Sequence, residues 1–196
     1  MPLHKSHMLN NLLRKFYRIV IMRIYTLDTV VLYEWKVTSF VETLMPIEIQ
    51  RVTIGNVEDA LVFQSKHQVD IFKKFLLQGD RGYYAYYKEQ CIHRSWVVQQ
   101  PKRISLHKFY EMTLNANEIF IQFCETAHNV RGKNIFARVL QVITKDFKEK
   151  KVLICVDEKN ESSRKSVTKA GFKEIEHITI RMILGKKTVK HKLLAS

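Results

Sequence analysis

The chain has little that would cross-link it, break it or anchor it. Its three cysteines, Cys91, Cys124 and Cys155, form no C-x-x-C pair and lie in separate apolar runs. This excludes a disulfide framework and points to buried thiols in a reducing compartment. Six glycines and three prolines among 196 residues exclude collagen-like and low-complexity chains, and 46% hydrophobic residues exclude a wholly disordered one. No apolar run reaches the roughly 18 residues of a membrane helix. Arg18 and Arg23 interrupt the most hydrophobic N-terminal stretch, residues 16–24, which carries no obvious secretion signal. The eight histidines show no H-x-x-x-H spacing and no His/Cys cluster, so no metal is expected. With no repeat or linker, the expectation is one compact cytoplasmic domain with short appendages.

What is abundant is positive charge, formally +14. Nine of the surplus charges belong to the two ends: Lys5, Arg14, Lys15, Arg18 and Arg23 in residues 1–26, and Lys186, Lys187, Lys190 and Lys192 in residues 185–196, neither of which holds an acid. The middle, residues 27–184, is only mildly basic, so nucleic acid is not the expected partner. Leu9, Leu12, Leu13, Phe16, Tyr17, Val20 and Ile24 recur at helical spacing. Residues 1–26 therefore read as a basic amphipathic arm, either packed on its own domain or touching a membrane surface from the cytoplasmic side. Residues 185–196 read as a solvated tail.

Between these ends the pattern mixes strands and helices. Residues 23–35 and 47–54 read as strands, and Asn56 as the cap of a short helix. A helix is expected over 68–78, closed by Gly79. Residues 83–87 and 91–98 flank a short polar connection and predict an antiparallel hairpin. Strand 119–126, helix 134–150 and strand 152–156 form a βαβ unit, whose crossover makes the two strands parallel. A helix over 161–170 and strands over 172–177 and 178–184 complete the domain. The fold class is α+β: a central mixed sheet of about six to seven strands carrying about four helices.

The chemistry concentrates where strand 119–126 meets the long helix. There Arg131-Gly132-Lys133-Asn134-Ile135-Phe136 offers helix N-terminal amides and two cations, a setting suited to a pyrophosphate. Residues 128–135 resemble the acetyl-CoA pyrophosphate loop of the GNAT superfamily of N-acetyltransferases. Asn160-Glu161-Ser162-Ser163 and Lys169-Ala170-Gly171-Phe172 resemble its second signature, and the order of elements agrees from about residue 47 to 184. The resemblance implies parallel strands that splay apart to admit the pantetheine arm of acetyl-CoA beside Cys124 and Thr126. It implies a diphosphate held by Arg131, Gly132, Lys133, Asn134, Ile135 and Phe136, with Asn160 and Ser163 on the far side. Asn134 and Phe136 stand where the family has glycines, and Val167 stands where many members carry an acidic Tyr.

The resemblance implies direct acetyl transfer from acetyl-CoA to a primary amine, of an amino sugar or another small amine. The amine must lose a proton to a base. Strict alternation puts Glu118, Phe120, Gln122, Cys124 and Thr126 on one face. Glu118 also matches the position of the family's base in its histone-type branch, with Gln122 to place water and Glu125 as second choice. Tyr84, His93, Arg94 and Trp96 in the hairpin are the expected acceptor contacts, although alternating aromatics commonly serve packing alone. The resemblance leaves a homodimer open. Two other readings remain: a catalytically silent GNAT-like binding module, and a basic protein attaching to RNA or anionic membrane through its ends.

Overall fold

A computed structural model describes residues 24–36 and 40–194. The expected amphipathic arm therefore lies almost entirely outside the described residues. The chain runs β1 (Tyr25–Trp35), β2 (Glu48–Arg51), a 3-10 helix (Val57–Val62), α1 (Lys66–Leu77), β3 (Arg81–Tyr87) and β4 (Gln90–Val98). It continues with β5 (Arg103–His107), β6 (Tyr110–Thr113), β7 (Glu118–Thr126), a 3-10 turn (His128–Val130) and α2 (Ile135–Asp146). It ends with β8 (Lys151–Asp157), α3 (Glu161–Lys169), β9 (Phe172–Ile183) and β10 (Lys186–Leu193). Eight strands form one mixed sheet in the order β10-β9-β1-β8-β7-β4-β3-β2, and β5 pairs with β6 separately. Only β7 and β8 run parallel, as the α2 crossover requires.

Two layers cover this sheet. On one face α2 places Ile135, Val139, Leu140 and Ile143 at three- and four-residue steps against Val31, Ile119, Ile121, Val152 and Ile154, with Val167 of α3 in the same core. On the other face the 3-10 helix and α1 bury Val57, Val69 and Phe72 against Tyr84 and Trp96. The β5–β6 hairpin covers Leu32, Phe120 and Leu153 through Ile104, with Leu114 just beyond it. No helix among the described residues is long and apolar enough to cross a membrane.

Several local expectations give way to tertiary pairing. Asn56 stands at the N-cap of the short helix expected there, but its side chain bonds no amide of the first turn, because its Oδ1 accepts from the Thr53 amide at 2.7 Å. α1 instead begins at a capping box in which Ser65 and Gln68 bond reciprocally. β9 is one continuous strand, not two, since no breaker interrupts it. The expected tail is an edge strand: Leu184 (φ 46°) and Gly185 (φ 80°) form the left-handed pair of a tight hairpin, returning Lys186–Leu193 along β9.

α3 is tied to the sheet by one carboxylate. Glu174 accepts from Arg164 Nη2 at 2.8 Å and from the Tyr33 hydroxyl at 2.9 Å, with His177 Nε2 at 3.0 Å. Burial acts to raise its pKa, but the bonds from Arg164, His177 and Tyr33 outweigh it and hold it at about 2. A depressed carboxylate adds stability above its unfolded pKa and loses it as pH falls toward the folded value. Glu174→Gln is therefore expected to cost about 2 kcal/mol at neutral pH after allowance for partial exposure. It should also flatten the stability loss between about pH 5 and pH 2, read from urea titrations at stepped pH.

Candidate functional site

The parallel pair comes apart. β7 and β8 pair from Glu118↔Lys151 to Ile121↔Ile154 and no further. Their outer partners continue: β4 pairs β7 out to Thr126, and β1 pairs β8 out to Asp157. The inner edges of residues 122–126 and 155–157 thus face each other across a gap without pairing to one another. A cavity of about 530 Å³ fills this gap and reaches the start of α2.

The parting coincides with a bulge in β7. Between the pairs Trp96↔Gln122 and Arg94↔Glu125, the two residues Phe123 and Cys124 oppose Ser95 alone, and Phe123 takes φ 50°. Arg94, only 4% exposed, clamps it. Its guanidinium donates to the Phe123 carbonyl, to Gln64 Oε1 at 2.9 Å and to Glu125 Oε2 at 2.8 Å, and lies 4.9 Å from the Phe72 ring centroid. The bulge overturns the expected alternation. Gln122 and Glu125 share the α1 face with their partners Trp96 and Arg94, whereas Cys124 and Thr126 face α2. Arg94→Met, which leaves Glu125 and the bulge carbonyl unpaired, is expected to destabilise the fold by about 3–5 kcal/mol in denaturant titrations.

At the far end of the gap the chain turns through Arg131, Gly132 (φ 79°) and Asn134 (φ 62°) into α2. Asn134 thus adopts the left-handed backbone that a glycine would supply. Its side chain staples the turn, donating to the Glu42 carbonyl at 3.0 Å and accepting from Lys169 Nζ at 2.9 Å. The Lys133 carbonyl accepts from the Leu44 amide at 3.3 Å, and Arg131 Nε donates to the Thr126 carbonyl at 3.0 Å. The amide of Arg138 bonds back to Asn134, so the amides opening the helix precede the first intrahelical bond. With Arg131, Lys133 and the helix dipole, they form a positive cradle. Phe136 does not cross it: its ring stacks on His93 at 5.6 Å and forms part of the cavity wall.

His93 is fully buried, with Nδ1 2.7 Å from Thr126 Oγ1 and Nε2 2.8 Å from Ser95 Oγ. Burial, helped by the neighbouring Arg94 charge, lowers its pKa to about 3, so it is neutral. Burial raises Cys124 to about 11 and Cys155 to about 12. Both thiols stay protonated near neutrality and are poor nucleophiles.

All ten residues expected to hold a cofactor border this one cavity: Cys124, Thr126, Arg131, Gly132, Lys133, Asn134, Ile135, Phe136, Asn160 and Ser163. Gln122, Glu125 and His93 border it too. Glu118 does not. It lies at the opposite end of β7, where Lys151 Nζ (3.1 Å) and the Asn115 amide (3.0 Å) and side chain (2.9 Å) bind it. Burial works to raise its pKa, but these bonds win and lower it. Three of the four expected acceptor contacts are packed away, because strand parity turns them toward α1. Tyr84 donates to the Val57 carbonyl at 3.0 Å, Trp96 lies between Phe72 and Phe75, and Arg94 is the clamp.

Sequence reasoning missed Asp157, Ser162 and Ser166 on the cavity wall. The i, i+4 spacing of Ser162 and Ser166, close behind the Asn160 cap, was the available signal. Val167 is fully buried on the inner face of α3. Among the described residues no three His, Cys, Asp or Glu side chains gather as for a metal.

No protein-family model matches the sequence, and no curated protein is similar to it in sequence. Solved structures are similar in fold. A GNAT-family acetyltransferase from Colwellia psychrerythraea superposes with a TM-score of 0.58 at 14% identity, over 85% of this chain and 60% of that one. This chain thus spans less than two thirds of that protein. An aminoglycoside 6'-N-acetyltransferase from Acinetobacter baumannii gives 0.50 at 13% identity, over 77% of this chain and 100% of the other. An aminoglycoside N-acetyltransferase solved in complex with CoA gives 0.51 at 11% identity, over 65% and 92%. From its splayed parallel pair to its helix-opening turn, the chain has the fold of the GNAT acetyltransferases.

Proposed function

We propose that the chain is an N-acetyltransferase that passes an acetyl group from acetyl-CoA directly to a primary amine. The carrying observation is the parting of β7 and β8 after Ile121 and Ile154, with the cationic turn at the end of the gap. The residues fit such a guest. Strand edges that part from each other suit an arm built of amides, and the positive cradle with left-handed Gly132 and Asn134 suits a diphosphate. A relative of the same fold is solved with CoA, which supports this reading.

Acetyl-CoA supplies an activated thioester carbonyl; the rest is work for this chain. Amides and cations of residues 131–136 hold the diphosphate, and the inner edge of β7 at Cys124 and Thr126 takes the arm. Asn160 and Ser163 close the opposite side. The amine arrives on the face of Gln122 and Glu125. Glu125, anchored by Arg94, takes the amine proton through a water that Gln122 orients. The nitrogen–carbon bond forms as the carbon–sulfur bond breaks. A thiolate is a far weaker base than an alkoxide or amide anion and can depart without a dedicated acid, so Val167 is compatible with turnover.

The test is a panel of amino sugars, polyamines, amino acids and peptide N-termini, with free thiol released from acetyl-CoA as readout. At least one amine should give saturable release and an acetylated product. Amino sugars come first, because two relatives of this fold act on aminoglycosides. Tight cofactor binding with no release for any amine would instead favour a catalytically silent module, the reading that Val167 suggests.

A further inference from the structure

At the β10 end, none of the described residues covers one face of the sheet. Along β1, β9 and β10 the opposite face is buried, with Val30, Ile178 and Ile180 packed beneath Phe109 and Tyr110. On the bare face, register aligns Tyr25 and Leu27 with Ile183 and Arg181, and these with Lys186 and Thr188, after which Lys190 extends the row. Tyr25 is 57% exposed, Leu27 48%, and Leu184 in the adjoining turn 78%. Arg181, Lys186 and Lys190 are exposed beside them. Among the described residues no Asp or Glu shares this part of the face. Asp28 points to the other side, where His107 meets it at 3.2 Å, and the nearest acids, Glu158 and Glu174, engage His177 farther along β9.

Charge decides what could cover it. A second copy would bring like charges together. Residues 1–23 hold five basic residues and no acid, so they match it no better. The complement is a surface dense in negative charge. Leucines and a tyrosine set among cations suit the boundary between anionic headgroups and acyl chains, and aliphatic side chains gain nothing from a phosphodiester backbone. In the sequence, β1 follows directly on the basic segment holding Arg14, Lys15, Arg18 and Arg23. We infer that the exposed β1–β9–β10 face, through Arg181, Lys186, Lys190, Tyr25, Leu27 and Leu184, docks the protein on an anionic lipid membrane surface.

The full chain should sediment with vesicles containing about 30 mol% phosphatidylglycerol, not with pure phosphatidylcholine, and should dissociate near 0.5 M salt. The triple reversal Arg181→Glu, Lys186→Glu, Lys190→Glu should weaken partitioning by at least about a hundredfold, at roughly fivefold for each basic residue. Leu27→Ser with Leu184→Ser, at unchanged charge, should weaken it about tenfold or more. This pair also keeps the question open should the reversal loosen the edge strand. Unchanged partitioning in both variants would overturn the inference and assign binding to the N-terminal segment. So would tighter binding to single-stranded RNA that the leucine substitutions leave intact. Acetyl-CoA binding is not involved, so either proposal stands or falls without the other.

Discussion

Gly132→Val is expected to raise the Kd for acetyl-CoA by about a hundredfold while the protein stays folded. A Cβ at this position would meet nothing within 4 Å, so the substitution causes no clash. Its cost is conformational. At φ 79° a β-branched residue is strained by about 1–2 kcal/mol, and it relieves the strain by rotating toward negative φ. That rotation swings the peptide units opening the cradle away from the diphosphate. Losing one or two hydrogen bonds to a charged group, at about 1.5–3 kcal/mol each, accounts for the expected change. The melting temperature should fall by only about 3–8 °C. An unaltered Kd would mean that the diphosphate is not held by this turn. Asn134→Ala should follow the same direction, since it removes both the tolerance for φ 62° and the bonds to Glu42 and Lys169.

Glu125→Gln should lower kcat by about 100- to 1,000-fold, within the range for loss of a proton-accepting group. The amide keeps an oxygen for Arg94 to bind and cannot take a proton from the amine. Acetyl-CoA affinity should change by less than about threefold, because the cradle lies elsewhere. Glu118→Gln provides the contrast. It weakens the contacts to Lys151 and Asn115 at the far end of β7 and should cost stability with little loss of kcat. Steady-state kinetics with an accepted amine separate the two. A large kcat loss at Glu118 with none at Glu125 would return the base to the end of the strand.

The parts of this site legible in the sequence are those specified over short distances. The periodicity of α2, the buried run of β8 and the Gly132 turn can each be read within a dozen residues, and together they locate the cavity. What is not legible depends on residues distant in sequence. Nothing around Phe123 marks a bulge, since its left-handed backbone is held by Arg94, some thirty residues earlier, and Gln64, earlier still. Without the bulge, alternation merges Gln122 with Cys124 and sends Glu125 to the wrong side. Tyr84, Arg94 and Trp96 read as recognition residues because their cover, α1, meets them only in the folded sheet. β10 reads as a tail because lysines on an edge strand look like solvated chain. The lodging of β1 between β8 and β9 leaves no local trace at all.

The central claim, that the gap between β7 and β8 holds the arm of a CoA thioester by its diphosphate, is tested most directly by calorimetric titration. Acetyl-CoA and CoA should both bind saturably at one site per chain, whereas pantetheine, which lacks the diphosphate, should bind at least about a hundredfold more weakly. No heat at millimolar acetyl-CoA, or equal affinity for pantetheine and CoA, would contradict it.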